Sequence, residues 1–154
     1  MSKTVYIDQA SEQHLEQIKD LLIKAHLPYS DVTEELLQNF FVLYKEDILI
    51  GCIGFESYPP YALLRSLVLS QEARGLGFGK LLVHTLEERA SDLGIEHLYL
   101  LTTTADRFFE KEGYTVIERK HVPPSIQRTT EFSTLCPDSA ICMMKKVKDS
   151  TTDS

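Results

Sequence analysis

The chain has 154 residues, enough for one domain with a substantial core but short for two. Hydrophobic residues make up 43% and charged residues 25%, a globular balance that excludes a disordered chain. With 16 Lys and Arg against 23 Asp and Glu, the net charge is −7 and no basic run exists, which excludes nucleic acid and anionic membrane surfaces as expected partners.

Thr4–Ile7 reads as a short strand. Ser11 is a candidate N-cap for a helix running to about Ala25, with Leu15, Ile18, Leu21 and Leu22 on one face. Leu27-Pro28 ends it, and Asp31–Asn39 reads as a second helical piece. Phe40–Lys45 and Ile48–Glu56 read as strands joined by a tight hairpin at Glu46-Asp47. Pro59-Pro60 forces a break before a strand at Ala62–Leu69. Gly77–Leu93 reads as the long helix, with Leu82, Leu86, Ala90 and Leu93 at core spacing and Gly94 as its stop. His97–Thr102 follows as a strand, Ala105–Lys111 as a short helix closed by Gly113, and Tyr114–Arg119 as a strand. Pro123-Pro124 opens a helix over Ser125–Phe132, and Ala140–Lys145 is the last strand. The pattern predicts an α+β fold: a single domain over 1–146, a mixed central sheet with helices on both faces, and a polar, disordered tail over 147–154.

Arg74, Gly75, Gly77 and Gly79 lie between a strand and a helix. Glycines alternating in so short a turn can expose consecutive backbone N–H groups. The following helix adds its own unpaired N–H groups and the positive end of its dipole. Such a place suits a phosphate or pyrophosphate. The plainer alternative is that the glycines only tighten a strand-to-helix turn. The dinucleotide pattern GxGxxG fails, because Lys80 stands three residues after Gly77, and GxxxxGK[ST] is absent.

The run Arg74-Gly75-Leu76-Gly77-Phe78-Gly79-Lys80 resembles the pyrophosphate loop of the GNAT N-acetyltransferases. The run from Ala105 through Phe108, Phe109 and Lys111 to Gly113-Tyr114 resembles a second motif of that family. The resemblance spans roughly Thr4 to Lys145 and implies acetyl-CoA as co-substrate. It implies that the backbone of Arg74 to Lys80 holds the pyrophosphate and that Leu67, Val68 and Leu69 hold the pantetheine arm. Phe108 and Phe109 fall in its second cofactor-binding region. The N–H of Val68 or Leu69 would face the thioester oxygen and stabilise the oxyanion formed when an amine attacks. Transfer would be direct, with no acyl-enzyme and no cysteine nucleophile.

Two positions depart from the family pattern. A tyrosine often follows the phenylalanine of the short helix and protonates the leaving thiolate, but Phe109 has no proton to give. Tyr61, Ser66, Thr103 or a water can substitute, or no acid is needed, since a thiol of pKa ~8.5 is a fair leaving group near neutrality. Arg65 stands where many relatives carry Glu or Gln. It reads either as a surface or sheet-edge arginine paired with Glu56, or as a bidentate clamp for a substrate carboxylate. Glu56 is the candidate general base, with a hairpin-edge surface residue as the alternative. Tyr58 and Tyr61 either line the acceptor pocket or pack under the proline turn.

The last third resembles the acetyltransferase domain of N-acetylglutamate synthases through Leu100-Leu101-Thr102-Thr103 and Val122-Pro123-Pro124-Ser125. Its final stretch also resembles small acetyltransferases of arsenic-resistance operons. Both imply an amino-acid-like acceptor, with Thr102, Thr103 and Arg128 as contacts; the alternatives are strand residues and a solvated helix face. Acetylation of a protein or peptide amine, and a non-catalytic CoA-binding or metalloid-responsive module, are the competing functions. Cys52, Cys136 and Cys142 fit reduced thiols, match no zinc spacing, and are assigned no metal. The five histidines are scattered and read as surface or helix-end residues, and Glu87-Glu88-Arg89 as a solvated face. No apolar run is of transmembrane length and MSKTVYIDQ has no signal-peptide core, so a cytoplasmic location is expected. A homodimer is compatible with the chain, though no residue demands one.

Overall fold

A computed structural model describes residues 4–135 and 139–147, with side chains omitted at 134 and 135. Residues 148–154 of the tail expected over 147–154, and Cys136, lie outside the described residues. The strands are β1 (Val5–Gln9), β2 (Phe40–Lys45), β3 (Ile48–Tyr58), β4 (Tyr61–Leu69), β5 (His97–Thr102), β6 (Thr115–Val116) and β7 (Ile141–Lys146). The helices are α1 (Leu15–Lys24), α2 (Phe78–Asp92), α3 (Asp106–Lys111) and α4 (Pro124–Gln127). The strands form one mixed seven-stranded sheet in the order β1-β2-β3-β4-β5-β7-β6. β4 pairs with β5 in parallel over Tyr61–Leu63 and His97–Tyr99, whereas β1-β2, β2-β3, β5-β7 and β6-β7 are antiparallel.

The chain divides into two compact units. One comprises Met1–Glu56 and Arg65–Leu86, and the other Ser57–Leu64 and Glu87–Ser154. In the first, Ile18 and Leu22 of α1 pack with Leu37, Phe40, Val42, Cys52 and Val68. Each such side chain contributes roughly 1.5–3 kcal/mol when fully buried. In the second, Leu63, Tyr99, Val122, Ile126, Phe132 and Cys142 form the core. Among the described residues, no helix is long and apolar enough to cross a membrane.

Three expectations are corrected. Asp31–Asn39 is not a helix: only Leu36–Asn39 forms a short 3-10 turn. The Thr33 hydroxyl takes the Leu36 N–H at 3.2 Å, and Asp31 is drawn to Arg65, so helical pairing loses both residues. The strand expected over Tyr114–Arg119 stops at Val116, and its charged end turns at Arg119–His121. The helix expected over Ser125–Phe132 ends at Gln127, where Thr129 donates its hydroxyl to Ile126 O at 2.7 Å instead of continuing the helix. His14 stands at a helix end, as expected, but not on the surface. It is buried, and its Nδ1 accepts the Ser11 N–H at 3.0 Å, which shapes the turn Glu12–His14 ahead of α1.

Candidate functional site

β4 delivers the glycine loop. After Leu69 the chain makes a 3-10 turn at Gln71–Ala73 and enters α2 at Phe78. Gly75 has φ +78° and Gly77 φ +85°, and a Cβ added at either would meet nothing within 4 Å. These glycines are therefore required by backbone conformation and not by packing. Gly79 differs: it lies inside the first turn of α2. The first helical bond runs from Leu81 N–H to Gly77 O at 3.2 Å, so the N–H groups of Phe78, Gly79 and Lys80 precede the intrahelical ladder. Leu76 is 59% exposed, unusual for a leucine beside a helix start. Arg74 folds back, its Nε donating to Leu69 O at 3.3 Å.

The end of β4 is oriented by β3. Ser70 N–H donates to Ile50 O at 2.8 Å. Successive residues of a strand point their N–H and C=O groups to opposite edges. Val68, two residues before Ser70, therefore addresses β3, and Leu67 and Leu69 address the other edge. On that alternation the Val68 N–H faces the neighbouring strand and the Leu69 N–H does not. Gly51 permits the close approach: a Cβ there would lie 2.7 Å from Leu69 Cδ2 and 3.0 Å from Val68 O.

Two residues upstream, Ser66 has φ +61° inside the strand. A non-glycine residue in that region is strained by about 1–3 kcal/mol and persists only where its surroundings fix it. Here the Ser66 hydroxyl accepts from Arg65 Nε at 3.0 Å, and Ser66 O accepts from Cys52 Sγ at 3.4 Å.

Arg65 is the centre of a buried ion cluster. Its side chain is 0% exposed. Nη1 donates to Asp31 Oδ2 at 2.5 Å and to Glu56 Oε2 at 2.8 Å, and Nη2 donates to Asp31 Oδ1 at 2.7 Å and Pro28 O at 3.5 Å. The expected roles of Arg65 are corrected on this point. It is neither a surface arginine nor an open clamp, because its guanidinium is sealed from solvent and engaged by the chain's own oxygens. Its pairing with Glu56 is present, with Asp31 as a partner the sequence did not reveal. Glu56 is 12% exposed at its side chain, not a surface hairpin residue.

The remaining expected residues lie in the other unit. Tyr61 is half-buried and edge-on to Tyr99 at 6.0 Å. The Thr102 hydroxyl accepts the Ala105 N–H at 2.9 Å, which closes the turn into α3. Thr103 and Arg128 are exposed. Phe109 is buried, with Phe108 at 5.1 Å and Tyr114 at 5.4 Å, both edge-on. Glu87 is not on a solvated face. It accepts from the Tyr114 hydroxyl at 2.9 Å and from Lys145 Nζ at 3.1 Å, and Lys145 also donates to Glu112 O at 2.8 Å. Burial, reinforced by the Glu87 charge and hydrogen bond, pushes the Tyr114 hydroxyl pKa well up. Among the described residues, no group of three or more His, Cys, Asp or Glu is placed to hold a metal ion.

Residues 6–114 match the model of the Acetyltransferase (GNAT) family. The chain belongs to the GNAT family. It is an N-acetyltransferase with acetyl-CoA as co-substrate, as its motifs led one to expect. An uncharacterised N-acetyltransferase of Chlorobaculum tepidum is 34% identical over 109 residues, which cover 70% of this chain and 68% of that one. An amino-acid acetyltransferase of Ralstonia nicotianae is 30% identical over 83 residues, 53% of this chain but only 18% of the relative. This GNAT domain thus spans less than a quarter of that relative's length. The N-acetylglutamate synthase of Neisseria gonorrhoeae, solved with coenzyme A and N-acetyl-glutamate, superposes with a TM-score of 0.82 at 18% identity. That match covers 97% of this chain and 36% of the synthase and establishes the shared fold.

Proposed function

We propose that this enzyme transfers the acetyl group of acetyl-CoA directly to the amine of a small amino acid or an anionic amino-acid analogue. The observation that carries the donor side is the pair of positive-φ glycines, Gly75 and Gly77, set between β4 and the start of α2. The kinship with amino-acid acetyltransferases supports the acceptor class. In this reading the backbone of Arg74 to Lys80 holds the pyrophosphate, and Leu67 and Leu69 hold the pantetheine through the edge of β4 that faces away from β3. The Leu69 N–H supports the oxyanion. Glu56 takes one proton from the ammonium, the freed lone pair forms the N–C bond, and as the C–S bond breaks the second proton on nitrogen passes through water to the departing sulfur. Thr103 and Arg128, both exposed, are the proposed acceptor contacts.

The metalloid-responsive alternative draws no support from the two described cysteines, Cys52 and Cys142. Burial pushes the Cys52 thiol up to about 12 and the Cys142 thiol up to about 11, so neither supplies a ready thiolate.

A CoA-release screen over the twenty amino acids, phosphonate and arsenical analogues, polyamines and basic peptides tests the acceptor. Turnover with an anionic amino acid or analogue at least ~10-fold above the polyamines is expected; turnover with peptides alone would overturn the proposal. Gly77→Ala tests the donor side. A left-handed alanine costs about 1–2 kcal/mol, and every 1.4 kcal/mol is about tenfold in affinity, so KM for acetyl-CoA should rise roughly tenfold. An unchanged KM would remove the loop from cofactor binding.

A further inference from the structure

We propose that Cys52 and Arg65 clamp Ser66 in its left-handed backbone, and that this clamp positions the end of β4 for acetyl transfer. The inference rests on the reading of Leu67 and Leu69 as the edge that holds the pantetheine arm.

Ser66 is buried inside β4 with φ +61°. That region is open to glycine but costly for serine, so the conformation lasts only where neighbours impose it. Two side chains bond to Ser66. Arg65 Nε donates to its hydroxyl at 3.0 Å, and the Cys52 thiol, from β3, donates to its carbonyl at 3.4 Å. The first bond holds the side chain. The second holds the peptide plane that leads into Leu67. Cys52 is fully buried with Ile18, Leu22, Val42 and Val68, so its S–H has no solvent to bond. Burial also pushes the thiol up to about 12, so the donated proton is present throughout the working range.

The place of the strain gives it a use. Leu67 follows Ser66 directly, and Leu69 comes just after. An irregular residue inside a strand re-aims the groups that follow it. The direction of the Leu67 and Leu69 backbone groups is therefore set at Ser66. The far end of the same segment is fixed by the Ser70 N–H on Ile50 O at 2.8 Å. A segment held at both ends keeps its N–H and C=O groups aimed before the thioester is bound, and small misplacements of such groups are costly in rate.

The test is kcat/KM for acetyl-CoA in Ser66→Ala, Ser66→Gly, Cys52→Ala and the double variant Ser66→Gly/Cys52→Ala, with urea midpoints to follow folding. Alanine keeps the backbone cost and loses the hydroxyl bond, so Ser66→Ala should lower kcat/KM by about tenfold. Glycine takes the left-handed backbone without a clamp, so Ser66→Gly should lose only about twofold. Cys52→Ala should lose about threefold beside Ser66, and nothing further when added to Ser66→Gly. Cys52→Val, which has bulk but no donor, repeats the measurement if Cys52→Ala does not fold; the Cys52 variants carry the test if Ser66→Ala does not. A purely structural role would lower the urea midpoints and leave kcat/KM of the folded variants in place, which would overturn the proposal. So would an equal loss in Ser66→Gly and Ser66→Ala, or an equal loss from Cys52→Ala in both backgrounds. The wild type's preference for S-acetylpantetheine over S-acetyl-mercaptoethanol, a thioester without the arm, keeps the two readings apart. If that preference holds while Ser66→Ala is unmoved, the clamp alone falls. If there is no preference, the reading of the Leu67 and Leu69 edge falls and the clamp with it.

Discussion

Arg65 in one unit and Lys145 in the other each bring a cation to a carboxylate beside a sheet strand, but the two clusters balance their charge differently. Lys145 meets one carboxylate, Glu87, and its further contacts are neutral: the Glu112 carbonyl and the face of the Tyr114 ring at 5.5 Å. That cluster sums to zero and holds the end of α3 to β7 and α2. Arg65 meets two carboxylates, Asp31 and Glu56, on one buried guanidinium. A cluster that only has to hold a fold together can stop at neutrality. Two carboxylates on one buried arginine, next to a strained Ser66 on the strand that leads into the glycine loop, are the mark of a site with work beyond packing.

The largest expected effect comes from removing the cation of the charged cluster. Arg65→Met would remove the buried cation that pairs with both Asp31 and Glu56, and should destabilise the protein by about 3–5 kcal/mol. The urea midpoint measures it, and a loss under about 1 kcal/mol would show that the cluster is more hydrated than its burial indicates. The matching change in the neutral cluster is smaller. Lys145→Met removes the ion pair with Glu87 and the bond to Glu112 O, while Glu87 keeps the Tyr114 hydroxyl. A stability loss of about 2 kcal/mol with kcat unchanged is expected. A fall in kcat for folded Lys145→Met would break the comparison, because it would give the neutral cluster a part in catalysis.

How far the sequence revealed these clusters follows from the range of the forces. Phe40–Lys45 and His97–Thr102 were legible to the residue, because a strand's apolar run and its flanking turns are local signals. The glycine loop was legible because positive φ is written into residue type at Gly75 and Gly77. Asp31 was not: it lies 34 residues from Arg65, and pairing at that range leaves no periodic trace. One signal did exist. Arg65 interrupts the otherwise apolar run of β4, and a charge inside a strand that neighbours cover on both sides requires a partner. Ser66 and Gly51 carried no signal at all, since a serine does not announce a left-handed backbone and a close approach depends on which strand lies alongside.

The smallest expected effect separates the two units by their buried thiols. Burial raises Cys52 from an ordinary value near 9 to about 12, and Cys142 to about 11. A thiol whose folded value is raised keeps its proton longer in the native state than in the unfolded chain. Its contribution to stability is therefore complete below pH 9 and is lost as pH climbs through the folded value. Between pH 8 and 10 each thiol should cost about 1 kcal/mol of stability. Cys52→Ala should reduce that loss for the core around α1, and Cys142→Ala for the core around β7, each by about a third, the raised tyrosines Tyr44, Tyr99 and Tyr114 carrying the rest. The measurement is urea unfolding of both variants at pH 8 and pH 10. Equal alkaline loss in wild type and both variants would mean that the thiols are reached by solvent. In that case the Arg65 cation that acts on Cys52 would also be open to water, and the burial of its pairs with Asp31 and Glu56 would lose its basis.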